Sequence, residues 1–247
     1  MAAKVSVLIP AAGSSSRFKS KTKKQFSEMG GRAVFLRTIE MFADRDDVAQ
    51  IVLAIPAEDE ELFQIKWSAS LAFHGVKVII GQQQRFQTVA KLLEQVSDDA
   101  ELIALHDAVR PCVTKKQITS VFAAAEQTGA AILAHRLVGT VKQADPELNI
   151  TKTVDRAALW EAQTPQVFKP EIIRRAYENL DNIDQNITDD AQLVEALGHP
   201  VKIVESSSSN IKITNSEDLH IAMAILNARP KPKPKGPSGP WAGEQGW

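Results

Sequence analysis

The chain has 247 residues, and its 29 Lys and Arg residues against 30 Asp and Glu residues give a formal net charge of −1. Hydrophobic residues make up 44% of the sequence and charged residues 24%, which is ordinary for a soluble globular protein. This near balance of charge argues against bulk binding of nucleic acid or of another polyanion. It still allows a local basic site for a small anion.

The chain contains a single cysteine, Cys112, which excludes a disulfide within one chain and a metal cluster held only by cysteines. Residues 1–10 do not have the pattern of a secretory signal, and no apolar run approaches the roughly 20 residues of a membrane span. We therefore expect a cytoplasmic protein with no membrane partner.

Short apolar runs alternate with helix-length amphipathic stretches through the first half of the chain. The runs suit strands that are buried on both faces of a parallel sheet: Val5–Pro10, Ile51–Ile55, Val76–Ile80, Leu102–Leu105 and Ala130–Ala134. The predicted helices between them are Ala33–Phe42, Glu58–Leu71, Thr88–Val96 and Thr114–Thr128, the last with Thr114 as its N-cap and Gly129 after its end. The alternation predicts an α/β fold with a Rossmann-like, doubly wound and mostly parallel sheet.

The pattern changes at about residue 136, where two short alternating stretches flank a polar turn. Thr140–Lys142 and Ile150–Val154 predict a β-hairpin arm within about residues 136–160. A two-stranded arm is marginal by itself, so we expect it to pack on a second copy of the chain. The rest of the chain predicts helices at Pro170–Leu180, Thr188–Leu197 and Ser216–Ala228 and strands at Val201–Glu205 and Asn210–Ile213.

Residues 1–228 are expected to form a single domain. Residues 229–247 differ in composition, because they hold five of the 12 prolines and four basic residues against one acidic residue. Such a segment is typical of a disordered, solvated tail.

Ligands in open parallel sheets bind beyond the carboxyl ends of the strands, so the segments that follow each strand are the candidates for a site. The first strand is followed by Ala11-Ala12-Gly13 and by five basic residues within Arg17–Lys24, a pattern that suits phosphate binding or a basic surface loop. The third is followed by Gly81, and Arg85 then opens a helix. A cation there opposes the helix dipole and hints at an anion nearby, although a plain turn explains the segment equally well.

The fourth strand is followed by His106-Asp107-Ala108-Val109-Arg110. An aspartate in this position suits a metal or a sugar hydroxyl, while an Asp–Arg ion pair that caps the next helix is the simpler interpretation. The HExxH, CxxC and GxSxG motifs are absent, and the five histidines are scattered. Cys112 has no evident base beside it, which predicts a buried thiol.

In their order and spacing, these segments resemble one family, the 2-C-methyl-D-erythritol 4-phosphate cytidylyltransferases of the non-mevalonate isoprenoid pathway. The resemblance runs from Val5 to about Leu226. It rests on the motifs Pro10–Gly13, Arg17, Lys24-Gln25, Gly81, Arg85, Thr88-Val89, His106–Ala108, Arg110–Cys112, Gly139–Lys142, Thr153–Arg156, Leu159-Trp160, Gln163–Gln166, Thr188–Asp190, Asn210–Thr214 and Glu217–Leu219.

The resemblance implies a nucleotidyltransferase fold and the transfer of a cytidylyl group from CTP to 2-C-methyl-D-erythritol 4-phosphate, with Mg²⁺, in a homodimer. It implies catalytic roles for Arg17, Lys24, Arg156 and Lys212. It also implies a nucleotide site at Ala11, Ala12, Gly13, Gly81, Gln82, Arg85 and Thr88, and an acceptor site at Asp107, Arg110, Thr140, Arg156, Thr164 and Lys212. Asp107 is the one implied metal position, acting directly or through water, and Thr140 and Arg156 would reach the acceptor from the arm of the other subunit.

Two alternatives remain open from the sequence. A cytidylyltransferase of the same fold that uses ribitol 5-phosphate would share the nucleotide half of the pattern. A nucleotide sensor without catalytic activity is disfavoured, because it would be expected to lose Arg17 and Lys24. The length after residue 228 leaves no room for a second catalytic domain, so we expect a protein with one activity.

Overall fold

A computed structural model describes residues 3–13, 23–180 and 187–230. The strands are β1 Val5–Pro10, β2 Glu28–Met29, β3 Arg32–Ala33, β4 Val48–Ile55, β5 Val76–Ile80, β6 Leu102–Leu105, β7 Ala130–Arg136, β8 Val141–Ala144, β9 Ile150–Val154, β10 Trp160–Phe168 and β11 Lys202–Glu205. The helices are α1 Val34–Ala43, α2 Glu60–Lys66, α3 Ser68–Phe73, α4 Arg85–Leu93, α5 Lys115–Thr128, α6 Pro170–Glu178, α7 Asp190–Ala196 and α8 Glu217–Asn227, with 3-10 turns at Lys24–Phe26 and Ala57–Asp59.

Seven of these strands form the central sheet, in the order β11-β7-β10-β6-β1-β4-β5. Strand β10 pairs antiparallel with both β6 and β7, while the other pairings are parallel. The sheet is therefore mostly parallel, and the predicted α/β class is confirmed. The carboxyl ends of β1, β5 and β6 lie at one edge, where a ligand site is expected.

Both faces of the sheet are buried, because apolar side chains point to both sides of its central strands. Val5, Val7 and Ile9 of β1 belong to one apolar cluster, and Leu8 of the same strand belongs to the other. Alternation with a period of two residues explains this division. The short apolar runs in the sequence predicted this burial correctly.

The two ends of helix α5 lie where the capping residues in the sequence predict them. The Thr114 hydroxyl accepts a hydrogen bond from the Gln117 backbone N–H, and Gly129 closes the helix in the left-handed region at φ 83°. A Cβ at Gly129 would lie 2.7 Å from Cδ1 of Ile172, so glycine is required there for space as well as for conformation. Both predicted ends of this helix are confirmed.

Three element predictions are wrong, and the two-residue strands β2 and β3 were also not predicted. The predicted helix Glu58–Leu71 is a 3-10 turn followed by α2 and α3, which break at Trp67, where the indole packs against Phe26, Phe35 and Phe63. The predicted strand at Asn210–Ile213 is not a strand; its Asn210 side-chain amide donates to Gln163 Oε1 and to the Thr164 carbonyl, and the Ile213 backbone N–H donates to the Val109 carbonyl. The third error is the omission of β10. This strand is not predicted from the sequence because Pro165 lowers the strand propensity of its segment.

The predicted hairpin is confirmed: β8 and β9 pair from Val141 with Val154 to Ala144 with Ile150. The Asp145 carboxylate closes the turn by accepting the Asn149 backbone N–H at 2.8 Å. The arm forms a separate two-stranded sheet and carries exposed apolar side chains, with Leu148 85% and Ile150 65% exposed. Among the helices that the structure describes, none is long and apolar enough to cross a membrane.

Candidate active site

A cleft opens at the carboxyl edge of the sheet. Its walls come from the loops after β1, β5 and β6, from the 3-10 turn at Lys24–Phe26 and from the segment before α8. The residues that line it are Pro10, Ala11, Ala12, Gly13, Lys24, Gln25, Gln82, Gln83, Arg85, Thr88, Asp107, Ala108, Val109 and Lys212.

The first wall is the backbone of residues 11–13, which Gln25 holds in place. Its side-chain amide donates to the carbonyl oxygens of Ala11 at 2.9 Å and Gly13 at 3.2 Å. Gln25 is 2% exposed, so its position is fixed by the core beneath the loop. Backbone of this kind, built from small residues, can bring its N–H groups close to a phosphate.

The second wall is the segment from Gly81 to Thr88. A Cβ at Gly81 would lie 2.5 Å from Cβ of Ala12 and 3.0 Å from Cγ2 of Thr88, so the two walls approach closely only because residue 81 is glycine. The Thr88 hydroxyl lies 2.9 Å from the Gln82 backbone nitrogen and 3.1 Å from its carbonyl oxygen. It accepts from the first and donates to the second, which fixes the turn.

A second depression adjoins the cleft. It is lined by Arg85, Asp107, Arg110, Ala162, Gln163, Thr164, Gln166, Thr188, Asp189 and Lys212. Arg85, Asp107 and Lys212 line both spaces, so one carboxylate and two cations stand at the junction between them. Two ligands bound side by side would meet at these three residues.

Asp107 is the electrostatic centre of the junction. Its Oδ2 lies 2.9 Å from Lys212 Nζ and 3.2 Å from Arg110 Nε, and its Oδ1 lies 4.0 Å from Arg85 Nε. Burial alone would raise the pKa of Asp107, but the three neighbouring cations outweigh it and hold this pKa well below its usual range. The carboxylate is therefore ionised at neutral pH. The ion pair with Arg110 that the sequence allowed is present, but it does not cap the next helix, because the N-cap of α5 is Thr114.

Thr164 and His106 hold the backbone of Asp107 in place through a chain of hydrogen bonds. The Asp107 N–H donates to Thr164 Oγ1 at 3.0 Å, and Thr164 Oγ1 lies 3.0 Å from His106 Nδ1. His106 Nε2 lies 3.2 Å from the Arg110 carbonyl oxygen, and burial lowers the pKa of His106 to about 4. The imidazole is therefore neutral. Because the carbonyl can only accept, we assign the ring proton to Nε2, and Thr164 then donates its hydroxyl proton to Nδ1.

Arg85 is held by an anion from within the chain. Its guanidinium donates to Asp190 Oδ1 at 2.9 Å and to Oδ2 at 2.6 Å. The anion that the sequence hinted at beside Arg85 is thus accounted for by Asp190, while Arg85 still lines the cleft.

The structure places most of the sequence-predicted site residues together. Ala11, Ala12, Gly13, Lys24, Gln82, Arg85, Thr88, Asp107 and Lys212 line the cleft, Gly81 packs behind it, and Arg110 and Thr164 line the second depression. Thr140 and Arg156 lie apart, on exposed positions that flank the arm strands. Arg17 lies outside the described residues, as do residues 231–247 of the predicted tail.

Sequence reasoning gave no role to Gln25, His106, Gln166 or Asp190, although four of the motifs quoted for the resemblance contain them. Each is buried and polar, with partners far along the chain. The available signal was a polar residue inside or beside an apolar segment, but the partners of these side chains could not be read from spacing. Cys112 is fully buried, as predicted, and burial raises the pKa of its thiol to about 11.

Comparison with known proteins gives a consistent result. The model of the IspD family, described as 2-C-methyl-D-erythritol 4-phosphate cytidylyltransferase, matches residues 5–228. A curated protein of that name from Rhodopirellula baltica is 42% identical over 237 residues, covering 92% of this chain and 96% of the relative. Another of that name, from Endomicrobium trichonymphae, is 38% identical over 225 residues, covering 91% and 100%. The crystal structure of the Thermus thermophilus protein of that name superposes with a TM-score of 0.76 at 33% identity, covering 91% of this chain and 99% of that one.

Proposed function

This chain belongs to the family of 2-C-methyl-D-erythritol 4-phosphate cytidylyltransferases, and we propose that it transfers the cytidylyl group of CTP to 2-C-methyl-D-erythritol 4-phosphate with release of pyrophosphate. The observation that carries the proposal is the junction of Arg85, Asp107 and Lys212, which belongs to both spaces. A transfer between two bound substrates needs such a junction, because the acceptor phosphate must meet the α-phosphorus of the nucleotide.

The proposed reaction does not depend on proton transfer. The nucleophile is an oxygen of a phosphate monoester, which is already ionised near neutral pH, so the step needs no general base. In-line attack on the α-phosphorus joins two polyanions and accumulates negative charge. Catalysis then consists of positioning and of electrostatic stabilisation, which suits a cleft whose lining includes Lys24, Arg85 and Lys212.

We assign the cleft to CTP and the second depression to the acceptor. The backbone of residues 11–13 and the Gly81–Thr88 segment would cradle the nucleotide, with Lys24 and Arg17 stabilising the charge at the α-phosphorus. Lys212 would hold the acceptor phosphate against the nucleotide, while Asp107 and Arg110 orient the polyol. The hydroxyl proton of Thr164 is committed to His106, so Thr164 would contact an acceptor only through a lone pair.

Mg²⁺ fits this site in a limited way. Within residues 3–13, 23–180 and 187–230, no three His, Cys, Asp or Glu side chains are grouped as a metal site. Among the described residues, Asp107 is the one carboxylate in the cleft lining, and Lys212 and Arg110 already occupy its Oδ2. Mg²⁺ usually keeps several waters and binds substrate phosphates with one or two carboxylates. We propose that Asp107, directly or through water, would hold the ion together with triphosphate oxygens, and that the ion would neutralise phosphate charge.

We propose that the protein is a cytoplasmic homodimer joined through the arm. The exposed apolar side chains of Leu148 and Ile150 on a separate hairpin support an interface there. Thr140 and Arg156, which flank the hairpin strands, would then reach the acceptor depression of the second subunit. Light scattering during size-exclusion chromatography should give twice the monomer mass, and L148D should shift it towards the monomer. A monomeric wild-type protein at micromolar concentration would contradict this arrangement.

The function is tested by pyrophosphate release with CTP and Mg²⁺, comparing 2-C-methyl-D-erythritol 4-phosphate with ribitol 5-phosphate. Turnover with the erythritol substrate alone is the expected result. Turnover with ribitol 5-phosphate alone would keep the CTP assignment and overturn that of the acceptor. Binding of CTP without turnover on either acceptor would instead point to a nucleotide sensor.

A further inference from the structure

Arg85 is anchored by a carboxylate 105 residues later in the chain. The two guanidinium nitrogens Nη1 and Nη2 donate in parallel to the two oxygens of Asp190, at 2.9 and 2.6 Å. The Asp190 side chain is fully buried, whereas that of Arg85 is 32% exposed. The pair therefore joins a buried anion to a cation that reaches the junction of the two substrate spaces.

Asp190 is itself held by hydrogen bonds with Tyr177 and Gln166. The Tyr177 hydroxyl donates to its Oδ1 at 2.6 Å. The Gln166 side-chain carbonyl accepts the backbone N–H groups of Asp190 at 3.1 Å and Ala191 at 3.0 Å, and the Gln166 amide donates to Asp189 at 2.8 Å. Because Gln166 belongs to β10, the anchor is attached to the central sheet.

This arrangement limits what Arg85 can do. Ordering an arginine side chain costs rotamer entropy, and here the anchor holds the side chain ordered before any ligand arrives. Burial alone would lower the pKa of Arg85, but Asp190 outweighs it and raises that pKa, so the cation is permanent. Asp190 balances the charge of Arg85. Arg85 therefore acts on a nucleotide through directed N–H groups more than through net charge.

We propose that Asp190 is a positioning residue for the nucleotide site, acting through Arg85, with Tyr177 and Gln166 holding Asp190 in place. The proposal rests on the assignment of the cleft to CTP. It predicts that the contribution of Asp190 disappears when Arg85 can no longer form the two parallel hydrogen bonds.

A double-mutant cycle on CTP affinity tests the proposal, with D190N, R85K and D190N/R85K compared by isothermal titration calorimetry. We expect each single substitution to weaken CTP binding about tenfold, and the double variant to resemble R85K within about twofold, because lysine cannot form the fork. The turnover number of D190N should fall by up to about 10²-fold, since misplaced groups lose rate. Independent effects that multiply in the double variant, or D190N with wild-type affinity, would overturn the proposal.

Two further variants keep the test decisive. E195Q removes an exposed carboxylate from the same helix and should leave CTP affinity unchanged. Y177F removes one donor to Asp190 while keeping the Arg85 fork, so we expect a loss of a few-fold, and this variant decides the matter if D190N does not fold. An unchanged affinity in Y177F would then contradict the proposal. Wild-type protein that binds CTP but turns over neither acceptor would refute the proposed function without affecting the anchor, whereas absence of CTP binding refutes both.

Discussion

The Thr164 hydroxyl oxygen lies 3.0 Å from Nδ1 of His106 and 3.0 Å from the backbone nitrogen of Asp107. One hydroxyl thus joins a fully buried neutral histidine to the carboxylate residue at the junction of the two substrate spaces. Thr164 is 5% exposed and lies within the irregular stretch of β10 between Ala162 and Gln166, so the link is part of the protein interior. It explains how an isolated aspartate at the end of β6 keeps a fixed position among three cations.

Two substitutions of Thr164 should separate the effect of its hydroxyl from the effect of the rest of the side chain. T164S keeps both hydrogen bonds and should retain stability and turnover near those of wild type. T164V leaves the Asp107 N–H and His106 Nδ1 without partners, which costs about 1–3 kcal/mol of unfolding free energy and should lower turnover. Urea unfolding and pyrophosphate release measure the two effects. Equal stability of the valine and serine variants would contradict the proposed link.

The stability of the protein should fall on mild acidification because His106 is buried as the neutral form. Its pKa is about 4 in the folded protein and about 6.5 in the unfolded chain, so the unfolded state takes up the proton first. The contribution is complete above pH 6.5 and is lost as the pH falls towards 4. Between pH 7.5 and pH 5 the unfolding free energy should fall by about 2 kcal/mol from this group.

Unfolding in urea across this pH range checks that expectation. H106N should flatten the pH dependence, because asparagine does not titrate, whereas H220N, which changes an exposed histidine of α8, should retain it. If the unfolding free energy of H106N still fell steeply on acidification, the pH dependence would arise from another group.

Lys24 should be essential for turnover but dispensable for folding. It lines the cleft beside the backbone of residues 11–13, where charge at the α-phosphorus would develop. Loss of one such cation commonly costs about 10²–10³-fold in rate, and we expect that loss in K24A with unchanged thermal unfolding. K116A, which removes an exposed lysine from α5, is the matched control. Near-wild-type turnover in K24A would refute the role assigned to Lys24.

Gly81 should tolerate no side chain. In G81A the new Cβ would stand 2.5 Å from Cβ of Ala12, so the two walls of the cleft must separate. Overpacking of this kind costs about 1–3 kcal/mol, and we expect lower stability together with weaker CTP binding. G139A meets no atom within 4 Å and serves as the stability control. Wild-type CTP affinity in G81A would show that the walls need not touch.

Local signals in the sequence predicted much of the architecture. Apolar runs of four to six residues gave the parallel strands, because burial on both faces requires apolar side chains throughout. Thr114 and Gly129 gave the ends of α5, because capping chemistry acts within one turn. The small and basic residues after β1 and the polar residues after β6 marked the site, since strand ends in such sheets converge at one edge.

The tertiary structure decided what depends on contacts between distant residues. It inserted β10 antiparallel between β6 and β7, and so brought Thr164 and Gln166 to the junction. It paired Arg85 with Asp190 across 105 residues and gave Asp107 three cationic neighbours from different segments. Composition and spacing do not show which buried polar groups form hydrogen bonds with one another. The sequence by itself thus determined the fold class and the sheet edge that holds the site. The tertiary structure decided which hydrogen-bonding partner each buried polar group has. The physical reason is that such groups must be paired within the protein only in the folded state, where they are removed from water.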